Sequence, residues 1–355
     1  MKILIDLSIL KNPNCGLGQV ALNYGYYYRD SYEPINGEQI FLLVPKNYVG
    51  LFGEKVKYIV AKKIYRIFPF LIGIKFDVWH AIHQLSRYKP YAKHYVLTIH
   101  DFNFVYEKSD NRSKVNKYLK KIQSKAERAD KIVCISNFAK QETEKYLKLK
   151  GKTISVIYNG IERIDLQSGM QLHNVKTPYF FSIGEIKEKK NFHVLLDVMK
   201  LLPDYELYIA GNKSTAYAEQ IENRIKQENI SNVHLVGLVS QSEKVWLYEN
   251  CSAFLFPSLF EGFGLPIVEA MLFKKAVVSS DRTSLPEIGK NYVAYFPHDF
   301  DAAKSAEIIK RTITEQNQQK MQSEFDYAAS FSWKSHLNQY ISLYRSLGLV
   351  TEENK

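Results

Sequence analysis

Two carboxylates, Glu261 and Glu269, bracket a glycine-rich turn in the string Pro-Ser-Leu-Phe-Glu-Gly-Phe-Gly-Leu-Pro-Ile-Val-Glu-Ala-Met, residues 257–271. The apolar run 252–256 ahead of it reads as a buried strand. Gly264, Leu265 and Pro266 lead into an apolar helical stretch, with Pro266 in a first turn where its missing N–H costs nothing. Strand, glycine turn and helix start aim backbone N–H groups and the positive end of a helix dipole at an anion. Gly262 and Gly264 would let the backbone approach that anion closely. Carboxylates bind phosphate poorly but accept hydrogen bonds from hydroxyls, so sugar and ribose are the natural partners of Glu261 and Glu269. A nucleotide sugar has both groups. The alternative for these two residues is a helix-start acid and a solvated helix acid.

A second cluster follows the apolar run 179–183: Gly184-Glu185-Ile186-Lys187-Glu188-Lys189-Lys190-Asn191, then a helix expected over 192–202. A third lies at Thr98-Ile99-His100-Asp101, the end of an expected strand, where a doubly wound sheet places its ligand contacts. Gly16-Leu17-Gly18 reads as a loop between the first strand and a helix over 20–28. His80 and His83 are read as lining the same cleft as His100. His298-Asp299-Phe300-Asp301 contains an Asp-x-Asp, read here as helix capping rather than metal binding.

The 257–271 string resembles the E-x7-E signature of retaining glycosyltransferases of family 4, which have the GT-B fold. Thr98–Asp101, Asn159-Gly160-Ile161, Lys190 before Asn191, and Phe331-Ser332-Trp333 with its terminal helix resemble the same family. The likeness extends over nearly the whole chain and is weakest before Trp79. It implies a nucleotide-diphosphate-sugar donor on the C-terminal half. Lys190 would neutralise the leaving diphosphate, helped by Lys189 or Lys187 and by N–H groups near Gly262, Phe263, Gly264 and Leu265. Glu261 would hold the transferred sugar and Glu269 the ribose. Gly184 and Glu185 would complete the donor side, although many members have Arg where this chain has Glu185. His100, Asp101, Gly16 and Gly18 would shape the acceptor side. No metal or other cofactor is implied. The overall pattern is similar to bacterial enzymes of O-antigen and capsule synthesis, often mannosyltransferases, which makes GDP-mannose the first choice of donor. Removing Glu261 is expected to abolish transfer at little cost to stability.

Alternating strand and helix patterns on both sides of one polar, unpatterned stretch at 162–175 imply an α/β protein of two Rossmann-like, doubly wound domains facing across a cleft. The expected domains are 1–165 and 176–325, with a C-terminal helix at about 330–350 crossing back to the first. The 355 residues, 46% hydrophobic, suffice for two cores. Three separated cysteines form neither a disulfide framework nor a metal cluster, which favours the cytoplasm. Residues 351–355 read as a frayed tail.

The net charge of +11 suits an anionic partner or surface, the alternative being a basic chain with no particular electrostatic partner. No nucleic-acid-binding motif is present, so a donor, a phosphorylated lipid acceptor or an anionic membrane face fits better. The segment 58–76, mixing Ile, Phe and Tyr with Lys and Arg, reads either as a membrane-surface patch or as a core helix broken at Pro69. Three rivals remain on sequence grounds: an epimerase or phosphorylase on the same fold, a catalytically silent nucleotide-sugar binder, and a nucleic-acid binder.

Overall fold

A computed structural model describes residues 1–349 except 14, 36, 162–169 and 171–174. The chain divides into two compact units, Met1–Glu162 with Phe331–Lys355, and Arg163–Ser330. The expected linker at 162–175 and the tail at 351–355 fall almost wholly outside the described residues.

The described residues of the first unit hold seven strands: β1 (Lys2–Asp6), β2 (Gln39–Val44), β3 (Lys57–Val60), β4 (Phe76–Ala81), β5 (Ala92–Ile99), β6 (Lys131–Cys134) and β7 (Ile154–Val156). Their order across the sheet is β3-β2-β1-β4-β5-β6-β7, all parallel. The second unit holds β8 (Tyr179–Ile183), β9 (Glu206–Ala210), β10 (Val233–Gly237), β11 (Ala253–Phe256), β12 (Ala276–Ser279) and β13 (Ala294–Tyr295). Its order is β10-β9-β8-β11-β12-β13, again parallel throughout. Central strands such as β11 and β12 are buried at every residue, which is why they read as unbroken apolar runs rather than alternating ones. In both sheets the order reverses beside the first strand, between β1 and β4 and between β8 and β11. Loops at the carboxyl ends of such neighbours form the usual ligand crevice.

The terminal helix, Trp333–Leu349, packs into the core of the first unit. Tyr340 stacks on His80, with ring centroids 4.7 Å apart. Thr98 Oγ1 lies 2.8 Å from His80 Nε2 and 2.7 Å from the Tyr340 hydroxyl, and the Tyr344 hydroxyl lies 2.6 Å from His80 Nδ1. His336 Nδ1 donates to the Tyr158 carbonyl at 2.5 Å. Each buried polar atom here has a partner, so the network orders the core instead of penalising it.

Three expectations need correction. Gly16 and Gly18 form the first turn of a helix over Gly16–Asp30 and not a loop, because Cys15 Sγ caps the Gly18 N–H. Gly18 is there for close packing, since a Cβ would stand 2.3 Å from the Asn12 carbonyl oxygen. His80 is a fully buried core residue of the network just described. Residues 58–76 do not form the core helix broken at Pro69. Strand β3 ends at Val60, two single-turn 3-10 helices follow at Lys63–Arg66 and Pro69–Ile72, and Gly73 closes the second with φ 73°.

Candidate active site

The carboxyl ends of β8 and β11 gather the residues expected on the donor side. After β11 the chain runs through Ser258 and Glu261 to Gly264, which caps a helix over Leu265–Leu272 with φ 103°. A Cβ at Gly264 would stand 2.5 Å from Leu285 Cδ2, so both the backbone angle and the space select glycine. The turn is anchored by hydroxyls that follow β12. Thr283 Oγ1 accepts the Glu261 N–H at 3.0 Å, and Ser284 Oγ lies 3.0 Å from the carbonyls of both Glu261 and Phe263. Phe263 is buried, as is Gly262, while Leu265 is half-buried as the first helical residue.

After β8, Gly184 opens a turn that ends in a 3-10 helix, Glu188–Lys190, and in Asn191 with left-handed φ 57°. This turn is tied to the first one by the Leu259 N–H, which donates to the Lys189 carbonyl at 2.7 Å. Lys190 is 8% exposed. Its Nζ lies 2.5 Å from Glu261 Oε1 and 4.8 Å above the Phe256 ring. The same carboxylate oxygen accepts from Ser258 Oγ at 2.7 Å. The lysine reaches Glu261 past Gly184, where a Cβ would come within 2.9 Å of Lys190 Cε. Glu185 and Lys187 form an exposed ion pair at 2.7 Å, so the acid standing in place of Arg is locally neutralised.

Glu269 is held from the neighbouring helix, Gln241–Asn250, whose start carries a Ser240–Glu243 capping box. Lys244 Nζ lies 2.6 Å from Oε1, and the Tyr248 hydroxyl donates to Oε2 at 2.9 Å. Burial first, and then the Glu269 charge, push the Tyr248 phenol well above its ordinary range, so it stays a donor. Two carboxylate oxygens offer about four acceptor positions, which leaves room on Glu269 for a ligand hydroxyl.

His100 and Asp101 lie on the first unit. The His100 ring donates from Nε2 to the Ile82 carbonyl at 2.8 Å, and burial pulls its pKa down to about 4. It is a neutral ring at pH 7. Asp101 Oδ1 accepts the Asn103 N–H at 3.0 Å and its carbonyl accepts from Gln84 Nε2 at 2.8 Å. Asp301 caps the following helix by accepting the Lys304 N–H at 2.8 Å.

Sequence reasoning missed Ser258, Thr283, Ser284, Lys244 and Tyr248. The hydroxyl run Ser279-Ser280…Thr283-Ser284 after a strand was a usable signal for the anchor, and Lys244 and Tyr248 at helical i, i+4 spacing were another. Which carboxylate they serve depends on tertiary contacts.

Comparison with known proteins places these residues in context. Residues 28–163 match the family described as Glycosyltransferase Family 4, and residues 164–329 match Glycosyl transferases group 1. The serotype-specific mannosyltransferase WbdA of Escherichia coli is 30% identical over 237 residues, 61% of this chain but only 28% of that relative. The O-antigen chain mannosyltransferase RfbU of Salmonella typhimurium is 27% identical over 245 residues, 67% of each chain. Anabaena HepE, solved in complex with UDP-glucose, superposes with a TM-score of 0.69 at 16% identity, covering 99% of this chain and 100% of that one. With a glycosyltransferase domain matched in each half and a GT-B architecture of two parallel-sheet units, the chain belongs to the family 4, group 1 glycosyltransferases.

Proposed function

We propose that this glycosyltransferase is a retaining, metal-independent hexosyltransferase that moves mannose from GDP-mannose to a glycan or lipid-linked saccharide in bacterial surface polysaccharide synthesis. The observation that carries the reading is the Lys190–Glu261 pair, set between the turns after β8 and β11. The named relatives, mannosyltransferases of O-antigen assembly, support the choice of sugar and pathway class.

In this mechanism Lys190 takes up charge building on the leaving diphosphate, and fixed N–H groups of Gly262, Phe263 and Gly264 assist. Glu261 accepts from hydroxyls of the transferred sugar, and Glu269 from the ribose. The bond from C1 to the diphosphate breaks while the acceptor oxygen bonds C1 on the same face. The acceptor proton passes to the diphosphate, so no protein nucleophile is required. His100, neutral by burial, positions acceptor hydroxyls beside Asp101 without exchanging protons.

No helix among the described residues is long and apolar enough to cross a membrane. The proposed place of action is the cytoplasmic side, peripheral to the inner face of the plasma membrane. Incubation with GDP- and UDP-sugars, followed by transfer assays with and without chelator and NMR of the product anomer, tests the whole reading. Transfer from GDP-mannose with the α configuration kept and no loss to chelator is the expected result. Preference for a UDP-sugar, as bound by HepE, overturns the donor. An inverted anomer overturns the mechanism, and loss to chelator overturns metal independence.

A further inference from the structure

The first unit carries a strongly basic recess of about 1190 Å³ that the proposed mechanism does not use. One wall is the helix Arg112–Arg128, which contributes Lys117, Lys120, Lys121, Lys125 and Arg128; the other is the strip 84–89, with Arg87 and Lys89. No Asp or Glu lines the recess, and among the described residues none of these cations is ion-paired to a carboxylate. Lys125 donates its ammonium to the Ser86 carbonyl. Burial first, then the positive Arg128 and Lys121, lower its pKa to about 8, although Asp6 acts the other way. The recess therefore holds an excess of positive charge that an anion would relieve.

A second feature adjoins it. The two 3-10 turns at 63–66 and 69–72 leave Ile64, Ile67, Phe68, Phe70 and Leu71 exposed, each between 43% and 63%. A smaller recess joins them to the basic strip: Lys63 and Arg66 line it together with residues 83–88. The Arg66 guanidinium lies 5.4 Å over the Tyr88 ring, a direct bridge between the two features. Apolar side chains beside an uncompensated basic cavity match the layering of a lipid leaflet, acyl chains below and phosphates above. Three of the five exposed side chains, Ile64, Ile67 and Leu71, are aliphatic and give a base no ring to stack on, while Phe68 and Phe70 suit an acyl layer equally well.

We propose that the basic recess of residues 84–89 and 117–128 and the apolar turns 64–71 form one docking face for an anionic phospholipid surface, with lipid phosphates held in the recess. The face rests on, and gives residues to, the peripheral placement proposed above.

Full-length protein is mixed with vesicles of phosphatidylcholine alone or with phosphatidylglycerol, and the bound fraction is read by co-sedimentation. The exposed lysines are tested as K117Q/K120Q/K121Q and the turns as I67S/F70S/L71S. Wild type should partition at least about tenfold better onto phosphatidylglycerol vesicles, lose that preference in high salt, and lose it in either variant. GDP binding by calorimetry, which belongs to the second unit, should be the same in all three proteins. Equal partition of wild type and the lysine variant overturns the proposal. So does saturable binding of inorganic pyrophosphate that the lysine variant loses while vesicle binding persists, since the recess would then serve a soluble anion. Vesicle binding as expected with no GDP binding would leave the docking face standing and sink the donor reading instead.

Discussion

Lys190 Nζ and Glu261 Oε1 stand 2.5 Å apart, with side chains 10% and 15% exposed, at the point where two turns of the second sheet meet. The two groups assigned to diphosphate and sugar are thus each other's partners. In the proposed mechanism a diphosphate that takes Lys190 would compete with Glu261, and in winning it would free that carboxylate for the sugar's hydroxyls. Under that proposal donor binding and alignment of the sugar would become one event.

Glu261→Ala removes the proposed acceptor for the sugar and leaves the Lys190 ammonium without its carboxylate. Transfer should fall by at least about a hundredfold, the scale of one lost fixed transition-state partner. The ion pair argues against the expectation of unchanged stability, because removing one partner of a largely buried pair costs on the order of 3–5 kcal/mol. Glu261→Gln keeps the shape and should lose activity with a smaller fall in melting temperature. Wild-type turnover in either variant removes Glu261 from the mechanism.

Lys190→Ala should weaken binding of the nucleoside diphosphate about tenfold or more in calorimetry, equivalent to roughly 1.4 kcal/mol. Uncompensated Glu261 would then repel the anion, so the double variant Lys190→Ala/Glu261→Gln should bind more tightly than the single one. The opposite ranking would show that the pair does not govern entry of the diphosphate.

Gly264→Ala combines a left-handed backbone with the 2.5 Å approach to Leu285 Cδ2. A loss of about 1–3 kcal/mol in urea unfolding is expected, with impaired donor binding because the cap of the Leu265–Leu272 helix shifts. Unchanged stability would mean that the turn relaxes freely and that glycine is not required there.

Acid should destabilise the first unit. Burial lowers His83 to about 3, His100 and His336 to about 4, and His80 well below its ordinary range. Each ring titrates near 6.5 when unfolded, so between that value and the folded one protons favour the unfolded chain. Stability present above about pH 6.5 should therefore fall steadily toward pH 4, by on the order of 1 kcal/mol per pH unit per histidine. A urea midpoint flat from pH 7 to about pH 4.5 would contradict this burial.

Most of the second unit was legible because its chemistry is local. Pro266 and Gly264 announce a helix start, and the apolar runs at 179–183 and 252–256 buried parallel strands. Turns without period were not legible. Residues 58–76 have no helical spacing because they fold into two separate single turns, each too short to show one. His80 misled for a different reason. A histidine near a strand end looks alike from sequence whether it faces ligand or core, and its partners Tyr340 and Tyr344 lie more than two hundred residues away. The pairings Lys190–Glu261 and Lys244–Glu269 were hidden likewise, since sequence shows the charges but not which of them meet.

The second sheet is, in chain order, an insertion within the first unit, which begins at Met1 and resumes at Phe331. Shortening the protein before Trp333 would therefore spare the second sheet and injure the first. It would strip Tyr340 and Tyr344 from His80 and Thr98 and open the aromatic interior around Tyr24. The carboxy-terminal seventeen-residue helix is the keystone of the amino-terminal half.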